Sequence, residues 1–213
     1  MHSRWEQEDL GKVDLKATII RCSKRQECNH YNELCLEMLD GEGRLYNAID
    51  TDHNGMPLRV QDKKRIEKLS DKLPDQLHLK VGARVVIRRN INVDHGWVNG
   101  TIAQIVSLNT NCIVLCQIEN PKECLALPRF KQIIQVGGSS YYIVRRQFPV
   151  IPGYAVTVHR VQGMTVKKAI VLLNENFFAS GQAYVALSRV RNIKDLTIWK
   201  YRPSAIHIGH FYK

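Results

Sequence analysis

Two groups of polar and basic residues near the C-terminus have the types and spacing to bind phosphate. The first is Thr157, His159, Arg160 and Gln162, in a segment that closes at Gly163 within Tyr154-Ala-Val-Thr-Val-His-Arg-Val-Gln-Gly-Met-Thr-Val166. A threonine hydroxyl and an imidazole can each donate a hydrogen bond to a phosphate oxygen, a contact that reads no base. The second is Gln182 and Arg189, within Gln182-Ala-Tyr-Val-Ala-Leu-Ser-Arg-Val-Arg191. A guanidinium offers a planar fork of donors that matches phosphate oxygens two at a time. A polar turn and a surface ion pair are the blander readings of the same residues. The second is short of acids, because residues 148–213 contain only Glu175 and Asp195.

Such groups act only if rigid elements hold them in place. Tyr154 to Val158 reads as a short apolar strand that breaks at His159. In a parallel α/β sheet the residues just beyond a strand's carboxyl end are where ligands bind. Ala169-Ile-Val-Leu-Leu173 is a continuous apolar run, the kind that a strand buried on both faces requires. After a loop over 174–179, Ser180 is placed to cap a helix running from Gly181 to Val190. On it Ala183, Leu187 and Val190 share an apolar face, and Gln182 and Arg189, seven apart, share another. Leu196 to Tyr201 is a further strand. Buried strands joined by a helical crossover predict an α/β layer.

At this point the residues resemble a known family. Thr157-Val-His-Arg-Val-Gln-Gly-Met-Thr165 is similar to motif V, and Gln182 to Arg191 to motif VI, of superfamily-one DNA helicases, within the Pif-like and RecD-like branch. The resemblance implies a RecA-like parallel-sheet domain interrupted by a small antiparallel β-barrel of the Src-homology-three type. It implies that Arg189 is the catalytic arginine finger. Gln162, Gly163, Gln182 and Arg189 would face nucleotide; Thr157, His159, Arg160 and Thr165 would face single-stranded DNA, or RNA by the same phosphate contacts. ATP and Mg²⁺ would be bound only together with a first RecA-like domain, upstream or in trans. No protein metal site is implied. No Gly-x-x-x-x-Gly-Lys-Ser/Thr sequence occurs in the 213 residues, so the chain alone is expected not to hydrolyse ATP. It resembles the C-terminal portion of a motor. The alternatives are a stand-alone nucleic-acid-binding remnant and a non-catalytic subunit. All three share one fold, and fold does not choose among them.

The remainder of the chain is read as support for this core. Lys16-Ala-Thr-Ile-Ile-Arg21 is a β-branched strand leading into a helix over Lys24–Leu39, where Cys28, Tyr31, Leu34, Cys35 and Met38 recur at helical spacing. Gly41-Glu-Gly43 is expected to stop it with positive φ. The pair resembles motif IV and its helix, with Asn29-His-Tyr-Asn32 at the family's Asn-rich position. Arg21 and Arg25 read as a solvated helix entry. Val60 to Leu73 is a candidate amphipathic helix ending before Pro74.

From Lys80 the character changes. Val81, Ala83, Val85 and Ile87 alternate with polar residues through Asn90, Asn99-Gly100 marks a turn, and apolar runs follow at Cys112–Ile118 and Gln132–Val136. The barrel is therefore drawn at residues 80–147, flanked by the RecA-like parts 1–79 and 148–213. Lys and Arg number 13 against 15 acids in 1–79, but 9 against 3 in 80–147 and 9 against 2 in 148–213. The positive field thus lies with the later segments, which fits a polyanionic partner. No apolar run reaches the length of a membrane span. Six cysteines at 22, 28, 35, 112, 116 and 124 match no common zinc spacing, Cys22-Cys28-His30-Cys35 included. They read as free thiols in a reducing, intracellular compartment.

Overall fold

The computed structural model describes residues 8–67, 72–135, 141–158, 167–174, 176–177, 181–188, 190 and 192–206. In chain order the elements are β1 (Thr18–Cys22), α1 (Arg25–Glu37), β2 (Gly43–Asn47), β3 (Ile49–Asp52), α2 (Val60–Glu67), β4 (Gln76–Lys80), β5 (Arg84–Ile87), β6 (Ile102–Leu108), β7 (Cys112–Gln117), β8 (Cys124–Pro128), β9 (Phe130–Gln135), β10 (Tyr142–Gln147), β11 (Val150–Pro152), β12 (Ala155–Thr157), β13 (Lys168–Leu172), α3 (Gln182–Leu187) and β14 (Leu196–Trp199). They fall into two compact units, one from Met1–Asp40 with Pro152–Lys213, the other Gly41–Ile151.

The first unit is built on a four-stranded sheet in the order β12-β1-β13-β14. All three pairings are parallel, as the apolar runs predicted. Every residue of β1 is buried, and so are Ala169, Ile170, Val171 and Leu172 of β13. Helix α1 turns Cys28, Tyr31, Leu34 and Cys35 inward as their spacing required, joined by Asn32 and Leu36. It ends at Met38 in an ordinary right-handed conformation, and neither Gly41 nor Gly43 has positive φ. Gly41 is needed for another reason: a Cβ there would collide with the Val81 carbonyl oxygen. Helix α3 is preceded by Gly181 in the left-handed conformation (φ 75°) and closes at Ser188. Ser180, the expected cap, lies outside the described residues.

The second unit is antiparallel in its assigned strand pairings. A five-stranded sheet runs β11-β5-β6-β7-β8, with β3-β10-β9 and the pair β2-β4 beside it in the chain. The antiparallel insertion expected from the sequence is present; among the described residues its largest sheet runs from β11 to β8, with no pairing assigned that closes it into a barrel. Closure depends on strand tilt and shear, which alternation along single strands does not encode. The insertion drawn at 80–147 also differs from this unit, which opens at Gly41 because β2 pairs with β4 from Gly43↔Lys80 to Asn47↔Gln76. The single strand read over Lys80–Asn90 is two, broken by Gly82 with φ 82°. Gly100, at φ 100°, makes the turn that Asn99-Gly100 predicted.

Two of the thiols are paired. Cys116 and Cys124 form a disulfide, with Cα atoms 4.1 Å apart, at directly opposed positions of β7 and β8. Cys22, Cys28, Cys35 and Cys112 are free, and no group of three or more metal-binding side chains is assembled among the described residues.

The second unit has a polar centre. Arg145, on β10, is almost fully buried. Its Nε and one terminal nitrogen donate to the two Asp50 carboxylate oxygens at 2.8 and 2.7 Å, and the other terminal nitrogen donates to the Leu73 carbonyl at 2.6 Å. Asp75 completes the site at 2.6 Å. Burial works against the charge on Arg145, but the Asp50 and Asp75 carboxylates more than offset it and raise its pKa. Burial likewise opposes ionisation of Asp75, yet Lys72 and Arg145 hold it below the ordinary carboxylate range. Two residues on from Arg145, the buried Gln147 donates to the carbonyls of Tyr46 and Pro74. Removing one partner of such a buried pair strands the other's charge. Arg145→Ala should therefore lower the unfolding free energy by about 3 kcal/mol, read by urea denaturation. Because the folded-state pKa of Asp75 is depressed, its contribution is present at neutral pH and lost as pH falls through that lowered value. The variant should accordingly show a weaker acid dependence below pH about 4.

Candidate functional site

Parallel pairing aligns the carboxyl ends of the four strands of the first unit, so the residues that follow them gather at one edge. After β1 come Ser23 and the first turn of α1; after β13 come Leu173, Asn174 and Asn176; β12 ends at Thr157. Thr157 is buried, in register with Cys22 of β1, and it stands at the strand end where sequence expected it. Val158 follows, also buried. His159, Arg160, Gln162, Gly163 and Thr165 lie outside the described residues, as does Arg189. Gln182 opens α3 and is only 4% exposed. Among the expected site residues, the structure thus locates Thr157 and Gln182, each on an element of the one parallel sheet unit.

Arg21 is not the solvated helix entry that its neighbours suggested. It is fully buried in β1, in register with Val156 on one side and Val171 on the other. Arg25 is exposed. Lys200 adds basic charge at this sheet end; it adopts φ 54° and lies over the Tyr31 ring, 5.5 Å from its centroid.

The residues that fix this edge were not legible as a group. β12 is the outermost strand of its sheet, so the side of its backbone facing away from β1 lacks a strand partner. Asn32 supplies one. Its side-chain oxygen accepts from the backbone N–H of Tyr154 and Ala155 at 3.0 and 2.9 Å, and its amide nitrogen donates to the Ala155 carbonyl at 2.9 Å. The amide imitates a neighbouring strand across a single residue. Glu27 anchors a second set. One carboxylate oxygen accepts from Ser23 Oγ at 3.3 Å and from the Lys24 backbone N–H at 3.4 Å. The other accepts from the amide nitrogens of Asn174 at 2.5 Å and Asn176 at 2.9 Å. One clue in the sequence was available, since Glu27 stands three residues after Lys24, the spacing of a glutamate that caps its own helix start.

Comparison with known proteins places this arrangement. A family profile described as "DNA helicase Pif1, 2B domain" matches residues 69–108, which include β4, β5 and β6. ATP-dependent DNA helicase PIF1 of Xenopus laevis is 30% identical over 195 residues, which is 89% of this chain and 28% of that protein. ATP-dependent DNA helicase PIF6 of Trypanosoma brucei brucei is 31% identical over 190 residues, 86% of this chain and 23% of that protein. The chain is thus similar to Pif1-type DNA helicases along most of its own length. It spans less than a third of the length of these curated relatives.

Solved Pif1 structures share the fold. The crystal structure of Pif1 helicase from Candida albicans superposes with a TM-score of 0.76 at 21% identity, covering 93% of this chain and 48% of that one. Bacteroides Pif1 bound to single-stranded DNA gives 0.69 at 23%, covering 91% and 43%. The Pif1-like fold here is therefore a RecA-like α/β unit with an antiparallel insertion. No helix among the described residues is long and apolar enough to cross a membrane.

The Asn32 clamp makes a direct prediction. Asn32→Ala leaves two buried N–H groups and one carbonyl of the β12 edge without their partner, at about 1–3 kcal/mol for each group that water cannot reach. Urea denaturation should show a loss in that range or above. Backbone exchange at Tyr154 and Ala155 should quicken more than exchange in β13. Asn32→Asp should fare little better, since a carboxylate accepts from the N–H groups but repels the Ala155 carbonyl.

Proposed function

We propose that this chain is the second RecA-like domain, with its insertion, of an ATP-dependent DNA helicase motor. The observation that carries the reading is similarity to ATP-dependent DNA helicases along 86–90% of the chain, with the family's motif V and motif VI residues present in order. In this reading Arg189 is the catalytic residue, offering its guanidinium to the γ-phosphate as charge develops in the transition state. Gln162, Gly163 and Gln182 line the nucleotide side. Thr157, His159, Arg160 and Thr165 grip the phosphates of single-stranded DNA. The burial of Thr157 at the end of a parallel strand supports that role, because such strand ends present polar groups at fixed positions.

The residues here fit only one wall of an ATP site. The sequence has no phosphate-binding loop, and no cluster of three or more metal-binding side chains occurs among the described residues. The other wall belongs to a separate domain. An arginine finger contributes roughly 10³ to 10⁵ in rate only against a wall that holds nucleotide and metal. The same missing loop favours a second reading, a nucleic-acid-binding protein or non-catalytic subunit with no ATPase of its own.

Two experiments separate these. Binding of a fluorescent single-stranded oligonucleotide by this chain should weaken steeply with salt, because each neutralised phosphate releases counterion. Thr157→Ala with His159→Ala should weaken it further without a large fall in Tm; a folded double variant that binds normally refutes the grip. In a chain carrying the upstream ATP-binding domain, Arg189→Ala should lower kcat by about 10³ or more and leave DNA affinity within about twofold. Arg189→Lys should not restore turnover, since the ammonium lacks the bidentate fork. Near-normal hydrolysis by the Arg189→Ala protein, or an equal loss in Arg191→Ala, refutes this assignment.

A further inference from the structure

The Glu27 carboxylate joins two segments that are far apart in sequence, and neither end of the bridge lies in motif V or motif VI. On the α1 side it accepts from Ser23 and from the Lys24 backbone. A carboxylate in the first turn of a helix is favoured there by the exposed N–H groups and the helix dipole. That half alone would make Glu27 an ordinary cap. The other oxygen, however, takes both asparagine side chains of the stretch after β13. The Asn174 amide is itself held: its oxygen accepts from the Asn176 backbone N–H at 3.1 Å. The Asn174 carbonyl accepts from the Phe177 N–H at 3.1 Å.

Phe177 carries the constraint onward. It is almost fully buried, in one apolar cluster with Val158, Val171, Leu173, Ala183, Ala186 and Ala205. Ala183 and Ala186 are the inward face of α3, and Val158 directly follows β12. A single ring thus packs with the end of the strand that carries Thr157 and with the helix that begins at Gln182. Ala183 and Ala186 are too small to reach far, so this face depends on where the Phe177 ring is set.

We infer that Glu27 is a positioning residue for motif VI. Through Asn174 and Asn176 it fixes Phe177, and through Phe177 it fixes the seat of α3, hence the approach of the arginine that follows this helix. The inference rests on the proposed role of Arg189 for its catalytic consequence, but not for its structural one.

The test has two readouts. Hydrogen exchange on this chain should show Glu27→Ala quickening exchange over 181–188, beyond any change in α1. Glu27→Gln should restore it, because the amide oxygen still accepts from both asparagines; the Lys24 N–H loses its acceptor, and Ser23 Oγ, which donated to the same oxygen, must turn to accept from the new amide. In a chain carrying the upstream ATP-binding domain, Glu27→Ala should lower kcat by roughly 10–100-fold with DNA affinity unchanged. Asn174→Ala with Asn176→Ala should give the same loss, and adding Glu27→Ala to that pair should cost little more. Exchange that rises only over 25–37 would reduce Glu27 to a helix cap and overturn the inference, as would a Glu27→Gln protein as impaired as Glu27→Ala. If Arg189→Ala retains turnover, the functional reading fails, and exchange over 181–188 still decides whether Glu27 positions α3.

Discussion

Strand β1 cannot exist on its own, and the rest of the first unit follows from that. All five of its residues are buried, and its two partners come from the far end of the chain: Ile20 pairs with Ala155 and with Ile170. A strand buried on both faces and hydrogen-bonded on both edges must recruit β12 and β13 before it is stable. Everything from Gly41 to Ile151 is therefore an excursion, which leaves the first unit and must bring the chain back to start β12. An excursion of that length needs its own core, and it has one.

That second core is unusual in centring on ions and amides as well as hydrocarbon. Val85, Ile87, Ala103, Ile105, Ile113, Leu115 and Leu127 are buried along β5 to β8. Arg145 and Gln147 are buried on β10 and hydrogen-bond to residues 46, 50, 73 and 74. A buried guanidinium is tolerated only when its donors are satisfied, so the loop from 73 to 75 is tied to β10 by charge and hydrogen bonds as well as by the burial of Leu73. The Arg129 guanidinium lies 4.9 Å from the Phe148 ring centroid and 5.6 Å from that of Tyr46, extending the same polar seam. This arrangement explains why 41–79, with its charged and turn-rich composition, belongs to the compact unit and is not a linker.

Two side-chain devices steady the strands of the candidate site. Asn32 fixes the start of β12, and Glu27 fixes the stretch after β13. Both project from α1, the helix that follows β1. That helix therefore holds one strand where it begins and another just past its carboxyl end, where a ligand would sit. Helix α1 reads in sequence as a packing element, because its apolar spacing is plain. Its polar anchors, the half-buried Glu27 and the buried Asn32, carry no shared period, and only the capping spacing of Glu27 could have marked one of them.

The sequence by itself determined that β1 and β13 are buried strands, from a β-branched run in one and a continuous apolar run in the other. It determined the inward face of α1, from the 3.6-residue recurrence of Cys28, Tyr31 and Leu34. It also carried the resemblance to superfamily-one helicases, because Thr157 to Thr165 and Gln182 to Arg191 hold type and spacing together. Only the tertiary structure decided where the insertion begins, because β2 and β4 are short, polar-faced and meaningful only as a pair. Only it decided that Arg21 is buried, that Gly41 yields to the Val81 carbonyl and not to a left-handed turn, and that Cys116 faces Cys124. Each of these depends on which residues meet across a sheet. Local pattern records the period of one strand, but pairing is a property of two, and nothing in either alone states the partner.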